Sequence, residues 1–443
     1  MLGRDIDSGR PICDYNRTSP RFEIEGILFP MLTLSEAEHG AYHNGNVSDA
    51  HNPQRIYDTL WMQAYPVAPR RDPTADLPGV GIGLLGYTLF PIPAPANRRT
   101  KKTTFMKHFI KYLLLSILPL LFTSCHDVEE YANNPQGNFE ALWTILDEHY
   151  CFFEYKSVDW QAVKTEYAAK ISPPMTSEEL FRVLSDMLKT LQDGHTNLMS
   201  TFDVSRYWIW EQYPTNYDER LIREHYLNFD YRRVNGIDYQ ILKNNIGYMH
   251  YESFENSIGE GNLDLVLAYL ATTDGLIIDV RDNGGGLLPN AEILARRFMK
   301  EKTLAGYISH KRGPAHDDFS EPYAYYLEPS TSHVRYYKPV VVLTNRATFS
   351  AANNFVSIMK TLPGVRIVGD TTGGGCGMPF TSELPNGWGV RFSAAPIYDA
   401  DRRLTEFGVD PSEGCRIDMT DEDRLNGRDT ILEKAFEVIK SML

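Results

Sequence analysis

A chain of 443 residues, 42% of them apolar, could hold two or three domains with ordinary cores, so size excludes little. Residues 1–125 carry 13 Lys and Arg against 11 Asp and Glu, which leaves 31 against 47 and a net charge of −16 in the remainder. An acidic body with no basic stripe argues against nucleic acid as a partner.

Residues 1–105 show neither a helical nor an alternating period and are scattered with Pro, Arg, Asn and Gly, so little stable structure is expected there. Gly81, Gly83 and Gly86 match a dinucleotide-binding spacing, but Pro78 precedes them and Pro91, Pro93 and Pro95 follow, where such a site needs a strand and a helix. Lys107 and Lys111 then lead into an apolar run over 112–122, too short to span a bilayer and interrupted by Pro119. With Thr123, Ser124 and Cys125, residues 106–125 resemble a bacterial lipoprotein signal whose lipidated residue would be Cys125, although Phe122 stands where Leu is usual. Translation is accordingly expected to begin at Met106, with 1–105 an upstream extension. The five cysteines, Cys13, Cys125, Cys151, Cys376 and Cys415, form no Cys-x-x-Cys pair and no zinc-like spacing with His.

From residue 138 the character changes. Phe139, Leu142, Trp143, Ile145 and Leu146 fall at helical spacing, as do Phe181, Val183, Leu184, Met187 and Leu188 after Thr176, a helix-start residue. A helical N-terminal subdomain over 138–200 is predicted. Residues 201–245, rich in aromatic and charged side chains, lack a period and are left as a spacer of unknown role. Over 246–443, strands at 246–250, 275–280, 340–343 and 365–368 alternate with helices near 262–270, 289–299 and 351–361. Such alternation predicts an α/β layer around a parallel or mixed sheet. A strand near 388–393 and a helix over 431–442 close the chain.

Ser350 lies where the strand at 340–343 turns into the helix at 351. A hydroxyl there faces free N–H groups and the positive end of a helix dipole, which favour a developing oxyanion. The same position suits a serine that merely caps the helix. His195, in the run Asp193-Gly194-His195, is a candidate base, since a neutral imidazole can take the serine proton and return it to a leaving amine. His149, His250, His310 and His333 compete for that role. Asp279 to Gly286 ends in three glycines, whose bare backbone allows N–H groups to approach a substrate; Gly285 and Gly286 with Ala351 are candidate oxyanion donors, although a tight turn would use the same glycines for geometry alone. The second glycine run, 373–377, lacks the Gly-Lys-Ser/Thr ending of a phosphate loop and reads as a mobile cleft wall, with Cys376 an inert thiol.

Taken together, the stretches 275–287, 341–352 and 365–375 resemble the C-terminal processing (tail-specific) serine peptidases and, more closely, their tricorn core protease-like branch. The likeness covers about 138–443. It implies a ClpP/crotonase-like β/α core over 246–443. It also implies a serine endopeptidase that cleaves unfolded or extended polypeptides through an acyl-enzyme, without metal or organic cofactor. In the processing branch a lysine is the base; the corresponding position here, 25 residues past Ser350, is Gly375. The histidine arrangement of the tricorn-like branch remains, with Asp193-Gly194-His195 in its place, although Gly194 stands where that branch has a serine. The run Thr405-Glu406-Phe407-Gly408 resembles the segment that supplies that branch's glutamate, so the resemblance assigns Glu406 to orient His195, directly or through another polar group. About 45 residues separate His195 from the core strand at 246, too few for the PDZ domain usual in the processing branch. The expected protein is thus an envelope peptidase held to the membrane only by its lipid anchor. An inactive ligand-binding module on the same fold, or a hydrolase of a non-peptide ester or amide, is the competing reading.

Overall fold

The computed structural model describes residues 131–443. The expected extension, the signal segment, Cys125 and the glycines at 81–86 lie outside the described residues.

Three helices open the chain: α1 (Pro135–His149), α2 (Trp160–Ala168) and α3 (Ser177–Lys189). Pro135 sits in the first turn of α1, where its missing N–H is not needed, and the Asn134 side chain accepts from the Gly137 N–H at 2.8 Å. The start of α3 is a reciprocal capping box between Thr176 and Glu179. The apolar stripes of these helices bury Phe139, Leu142, Leu146, Phe181, Leu184 and Leu188 in a core that also takes in Trp388, Val390 and Phe392 from the far end of the chain. Helical spacing explains the stripe, and the shared core makes the helical subdomain part of a larger unit.

After β1 (Asn197–Met199) the chain forms α4 (Glu219–His225), β2 (Arg232–Val234), β3 (Ile237–Leu242), β4 (Ile246–Tyr251), α5 (Glu260–Leu270), β5 (Gly275–Asp279) and α6 (Leu288–Ala295). Then come β6 (Thr303–Ile308), β7 (Tyr323–Leu327), β8 (Val340–Thr344), α7 (Ala351–Thr361), β9 (Val365–Gly369), β10 (Gly377–Glu383), β11 (Gly389–Tyr398), α8 (Asp421–Leu425) and α9 (Thr430–Met442).

The main sheet has six strands in the order β2-β3-β4-β5-β8-β9, with β4, β5, β8 and β9 parallel and β2 and β3 antiparallel at one edge. The spacer at 201–245 therefore builds that edge. Alternation sorts the central strands: Leu276, Ile278, Val340 and Val342 face a core with Leu263, Leu294 and Phe355, whereas Ile277, Val341 and Leu343 face one with Leu432, Phe436 and Ile439. Helices α5, α6 and α7 thus cover one face and α9 the other. A second, antiparallel sheet runs β1-β11-β6-β7, with β10 also paired to β11.

The alternating series at 246–368 corresponds to β4, α5, β5, α6, β8, α7 and β9. Strands β1, β2, β3, β6, β7 and β10 were not predicted. The sequence of β7 leaves four of its five residues partly or fully exposed and shows no clean alternation, so no period marks it.

The carboxyl ends of β5 and β8 lie side by side and carry the loops of interest, as expected where ligands meet parallel sheets. One buried ion network fixes the first loop to the last helix. Arg281, fully buried, donates to Asp279 Oδ2 at 2.6 Å and to Asp429 Oδ2 at 2.8 Å, while Tyr248 Oη donates to Asp279 Oδ2 at 3.0 Å. Asp429 also caps α9 by accepting the Leu432 N–H at 2.8 Å. Asp279 and Arg281 of the 279–286 motif are therefore structural. Removing one partner from a buried network strands charge without a counter-ion. Arg281→Met is expected to lower unfolding free energy by about 3–5 kcal/mol in urea denaturation.

Candidate active site

The backbone at Ser350 is the unusual feature of the β8–α7 connection. Its φ of 56° and ψ of −121° lie where only glycine is comfortable. Hydrogen bonds on both sides hold it there: the Phe349 N–H donates to Asn283 O at 3.0 Å and the Ser350 N–H to Gly374 O at 2.8 Å. Thr348 Oγ1 donates to Val280 O at 2.8 Å and Asn345 Oδ1 accepts the Asp282 N–H at 3.1 Å, so the β5 and β8 loops are tied to each other. This sharp turn keeps the Ser350 hydroxyl from capping α7, and no side-chain cap is made there.

The hydroxyl instead meets His195, with Nε2 2.9 Å from Ser350 Oγ. His195 comes from the segment between α3 and β1, and pairing of Asn197 with Arg391 and of Leu198 with Val390 fixes that segment on the second sheet. The Phe349 ring packs against the imidazole at 4.8 Å between centroids and against Trp210 at the same distance. A side chain at Gly194 would strike Phe349 at 2.8 Å, so the glycine before the histidine makes room for that ring. The competing histidines lie elsewhere: His250 meets Tyr217, His310 meets Tyr323 and His333 meets Asp264, while His149 stacks on Phe392.

His195 is only 2% exposed. Burial lowers its pKa to about 4, with Arg391 and Lys156 acting in the same direction and Asp193 and the Gly377 backbone opposing. The ring is therefore neutral at physiological pH, the form that accepts a proton. Its Nδ1 is buried without a hydrogen-bond partner of normal geometry, although the Gly377 backbone lies close enough to favour the charged ring.

Glu406 is not that partner, so of the two routes expected for it, direct or through another polar group, the direct contact is not made. Its Oε1 accepts from Lys156 Nζ at 2.8 Å and its Oε2 from the Cys376 N–H at 3.0 Å. Lys156 Nζ is also 3.5 Å from Asp193 Oδ2, and Asp193 Oδ1 accepts the backbone N–H of His195 at 2.8 Å. Tyr150 Oη adds a further bond to Asp193 Oδ2 at 2.9 Å. Burial and the Asp193 charge push the Glu406 carboxyl up to about 7. Burial acts on Asp193 in the same sense, but Lys156, His195 and its hydrogen bonds outweigh it and hold that carboxylate below its usual range. Lys156 was not singled out in the sequence, and Asp193 was named there only within the run Asp193-Gly194-His195. A lysine in an aromatic loop between two helices matches no motif.

The glycines divide into distinct roles. A Cβ on Gly285 would lie 2.7 Å from Phe349 O and 2.8 Å from Ala351 N and Ser350 Cβ, and its φ is 96°, so glycine is required directly against the serine. The Gly285 N–H donates to Asn283 Oδ1 at 2.9 Å and is thereby engaged. Gly286 is exposed beside it, with a φ of 130°, and Ala351 occupies the first turn of α7, whose N–H groups have no intrahelical acceptor. The run at 373–375 is a fixed wall and not a mobile one: the Gly373 N–H donates to Thr348 O at 2.8 Å and the Gly375 N–H to Glu406 O at 3.1 Å. At Gly375, with a φ of 80°, any side chain would meet the Phe349 ring at 2.4 Å, so this position has no space for a lysine. Burial raises the Cys376 thiol well above its ordinary range, as suits an inert cysteine.

A cavity of about 540 Å³ lined by Tyr217, Asp218, His250, Glu252, Asp282 and Arg424 includes neither Ser350 nor His195 in its walls. No group of three or more His, Cys, Asp or Glu able to hold a metal occurs among the described residues.

Residues 245–413 match the model of peptidase family S41, and residues 131–189 match that of the tricorn protease C1 domain. The crystal structure of a candidate peptidase from Parabacteroides merdae ATCC 43184 is 47% identical, with a TM-score of 0.66 over 70% of this chain and 97% of that one. A candidate tricorn-like protease C-terminal subunit from Sulfurisphaera tokodaii is 26% identical over 206 residues, which are 45% of this chain and 22% of the relative. The carboxy-terminal processing protease CtpA of Bacillus subtilis (strain 168) is 25% identical over 174 residues, 39% of this chain and 35% of the relative. The chain thus spans about a third or less of the length of these two curated relatives.

The raised Glu406 carboxyl has a consequence for stability. Its neutral form is favoured in the fold, so the stability it contributes is present below the ordinary value of 4.5 and is lost as pH rises to about 7. Urea unfolding of Glu406→Gln is expected to lose less stability than wild type between those two pH values.

Proposed function

Since the chain belongs to peptidase family S41, we propose that it is a serine-type peptidase with Ser350 as nucleophile and His195 as general base. The observation that carries this reading is the 2.9 Å approach of His195 Nε2 to Ser350 Oγ at a strained strand-to-helix turn.

The neutral imidazole takes the Ser350 proton as Oγ forms a bond to the scissile carbonyl carbon. The carbonyl oxygen becomes an oxyanion, which the N–H groups of Ala351 and Gly286 stabilise; Gly285 keeps the approach open, since its own N–H already serves Asn283. The imidazolium then gives its proton to the leaving amine nitrogen, the C–N bond breaks, and an acyl-serine remains. Water repeats the sequence and releases the acid.

The substrate in this reading is an unfolded or extended polypeptide, and the partners are such chains. The exposed Leu287 beside Gly286, together with Trp210 against Phe349, offers apolar surface next to the serine for their side chains. Placement in the bacterial envelope through lipidated Cys125 belongs to the same proposal and rests on the Lys-flanked apolar run before that cysteine. Cys125→Ser is expected to abolish incorporation of labelled palmitate in the native host; unchanged incorporation refutes the anchor.

Turnover of an unstructured protein such as casein, together with fluorophosphonate labelling, tests the chemistry. Ser350→Ala is expected to lower turnover by at least about 10⁴-fold and to abolish labelling, because removing a nucleophile removes the covalent route. Equal turnover by the two proteins rejects the assignment.

A further inference from the structure

Behind the imidazole lies a buried cluster that the acyl-transfer steps do not use. Lys156 projects from the loop between α1 and α2, its side chain 4% exposed, and reaches three acceptors: Glu406 Oε1 at 2.8 Å, Gln192 O at 3.1 Å and Asp193 Oδ2 at 3.5 Å. Each acceptor has a place in the site. Gln192 and Asp193 form the turn that presents His195, and Asp193 Oδ1 accepts the backbone N–H of His195. Glu406 holds the N–H of Cys376, and its own carbonyl accepts from Gly375, in the wall whose Gly374 carbonyl holds the Ser350 N–H. One ammonium therefore joins the segment that carries the imidazole to the segment that supports the serine. The rings of Phe152, Phe407 and Tyr150 surround it at 5.4, 5.9 and 6.0 Å and exclude water.

We propose that Lys156 is a positioning residue of the acyl-transfer centre: its ammonium clamps the Asp193 and Glu406 carboxylates together, so that His195 stays at Ser350 with net negative charge behind it. The inference deepens the peptidase reading and rests on it.

The charge count gives the clamp a chemical role. With Lys156 positive and both carboxylates ionised, the cluster carries one net negative charge beside a neutral ring. When the ring takes the serine proton the group becomes neutral overall, so the buried imidazolium is compensated. The other titratable groups facing the cluster are Tyr150, Cys151, Tyr155 and Cys376, and burial raises all four, so they remain uncharged. Arg391 faces His195 and opposes its protonation. Lys156 is thus the cation that keeps the second carboxylate ionised: burial and Asp193 raise Glu406, and Lys156 acts against both. Buried carboxylates so close together cannot both remain charged without it.

The test compares wild type, Lys156→Met, Lys156→Arg and Glu406→Gln over pH 5 to 10. Three readings are taken: casein turnover, the rate of fluorophosphonate labelling at Ser350, and urea unfolding. Wild-type labelling is expected to rise through an inflection near pH 7, the value to which Glu406 is pushed. In Lys156→Met the inflection is expected to move up by at least about one pH unit, since the carboxyl loses the cation that lowers it. Turnover number is expected to fall about 10- to 100-fold with KM within about threefold, as for a displaced catalytic group. Lys156→Arg keeps the inflection near 7, and Glu406→Gln abolishes it. A lysine that only fills space predicts no shift of the inflection and an unchanged turnover number in Lys156→Met, and that result overturns the proposal. If Lys156→Met does not fold, a Glu406→Gln inflection still at 7 overturns it instead. Wild type that neither turns over casein nor labels refutes the peptidase reading alone. The clamp is then judged by unfolding: it predicts that Lys156→Met loses stability more steeply than wild type above pH 7, and parallel curves overturn it.

Discussion

The positive-φ backbone at Ser350 is the constraint around which the candidate site is organised. A non-glycine residue held there costs about 1–3 kcal/mol, and it persists only where neighbouring structure leaves no alternative. Here the neighbours are the Asn283 carbonyl on one side and the Gly374 carbonyl on the other. One glycine of each run lies beside that turn. Gly285 must be bare because the Ser350 Cβ and the Ala351 nitrogen lie against it, and Gly374 because the Glu406 carbonyl does. The strain also decides what the hydroxyl does. An ordinary helix-start serine would turn its oxygen onto a free N–H, whereas this one leaves the cap unmade and faces an imidazole.

That imidazole belongs to a different part of the chain, and the fold has to deliver it. The short strand β1 joins the second sheet immediately after His195, and the helical subdomain shares its core with β11 of the same sheet. The serine is held by the main sheet, the histidine by the second one. The two meet across the Phe349 ring and the buried residues Lys156, Asp193 and Glu406. Burying three ionisable groups is unfavourable unless each is paired. Their presence directly behind a neutral histidine is more readily understood as preparation for a charge that forms there than as a source of stability. The contrast with Asp279, Arg281 and Asp429 is instructive, because that equally buried network touches neither Ser350 nor His195 and fastens a loop to α9.

Much of this was legible in the sequence. The alternation of apolar runs with amphipathic segments gave the central strands and the helices that cover them, since strands buried on both faces read as continuous Val, Ile and Leu. The helix at Ala351–Thr361 was marked by its apolar spacing and by the strand before it. Ser350 stood out because a hydroxyl at a strand-to-helix turn is recognisable locally, whereas His195 was one of five candidate histidines until the resemblance favoured it. Strands β6, β7 and β10 were not legible, because their residues are partly exposed and their partners lie far along the chain.

The sequence by itself determined the α/β core, the resemblance that pointed to a peptidase family, and the absence of a lysine at position 375, since all three are carried by residue type and local order. The tertiary structure alone decided which histidine meets the serine and that Glu406 answers to Lys156 and the Cys376 backbone. Those outcomes depend on distances between side chains up to 250 positions apart, as for Lys156 and Glu406. No local period or spacing encodes such distances; packing of the two sheets against the helical subdomain sets them.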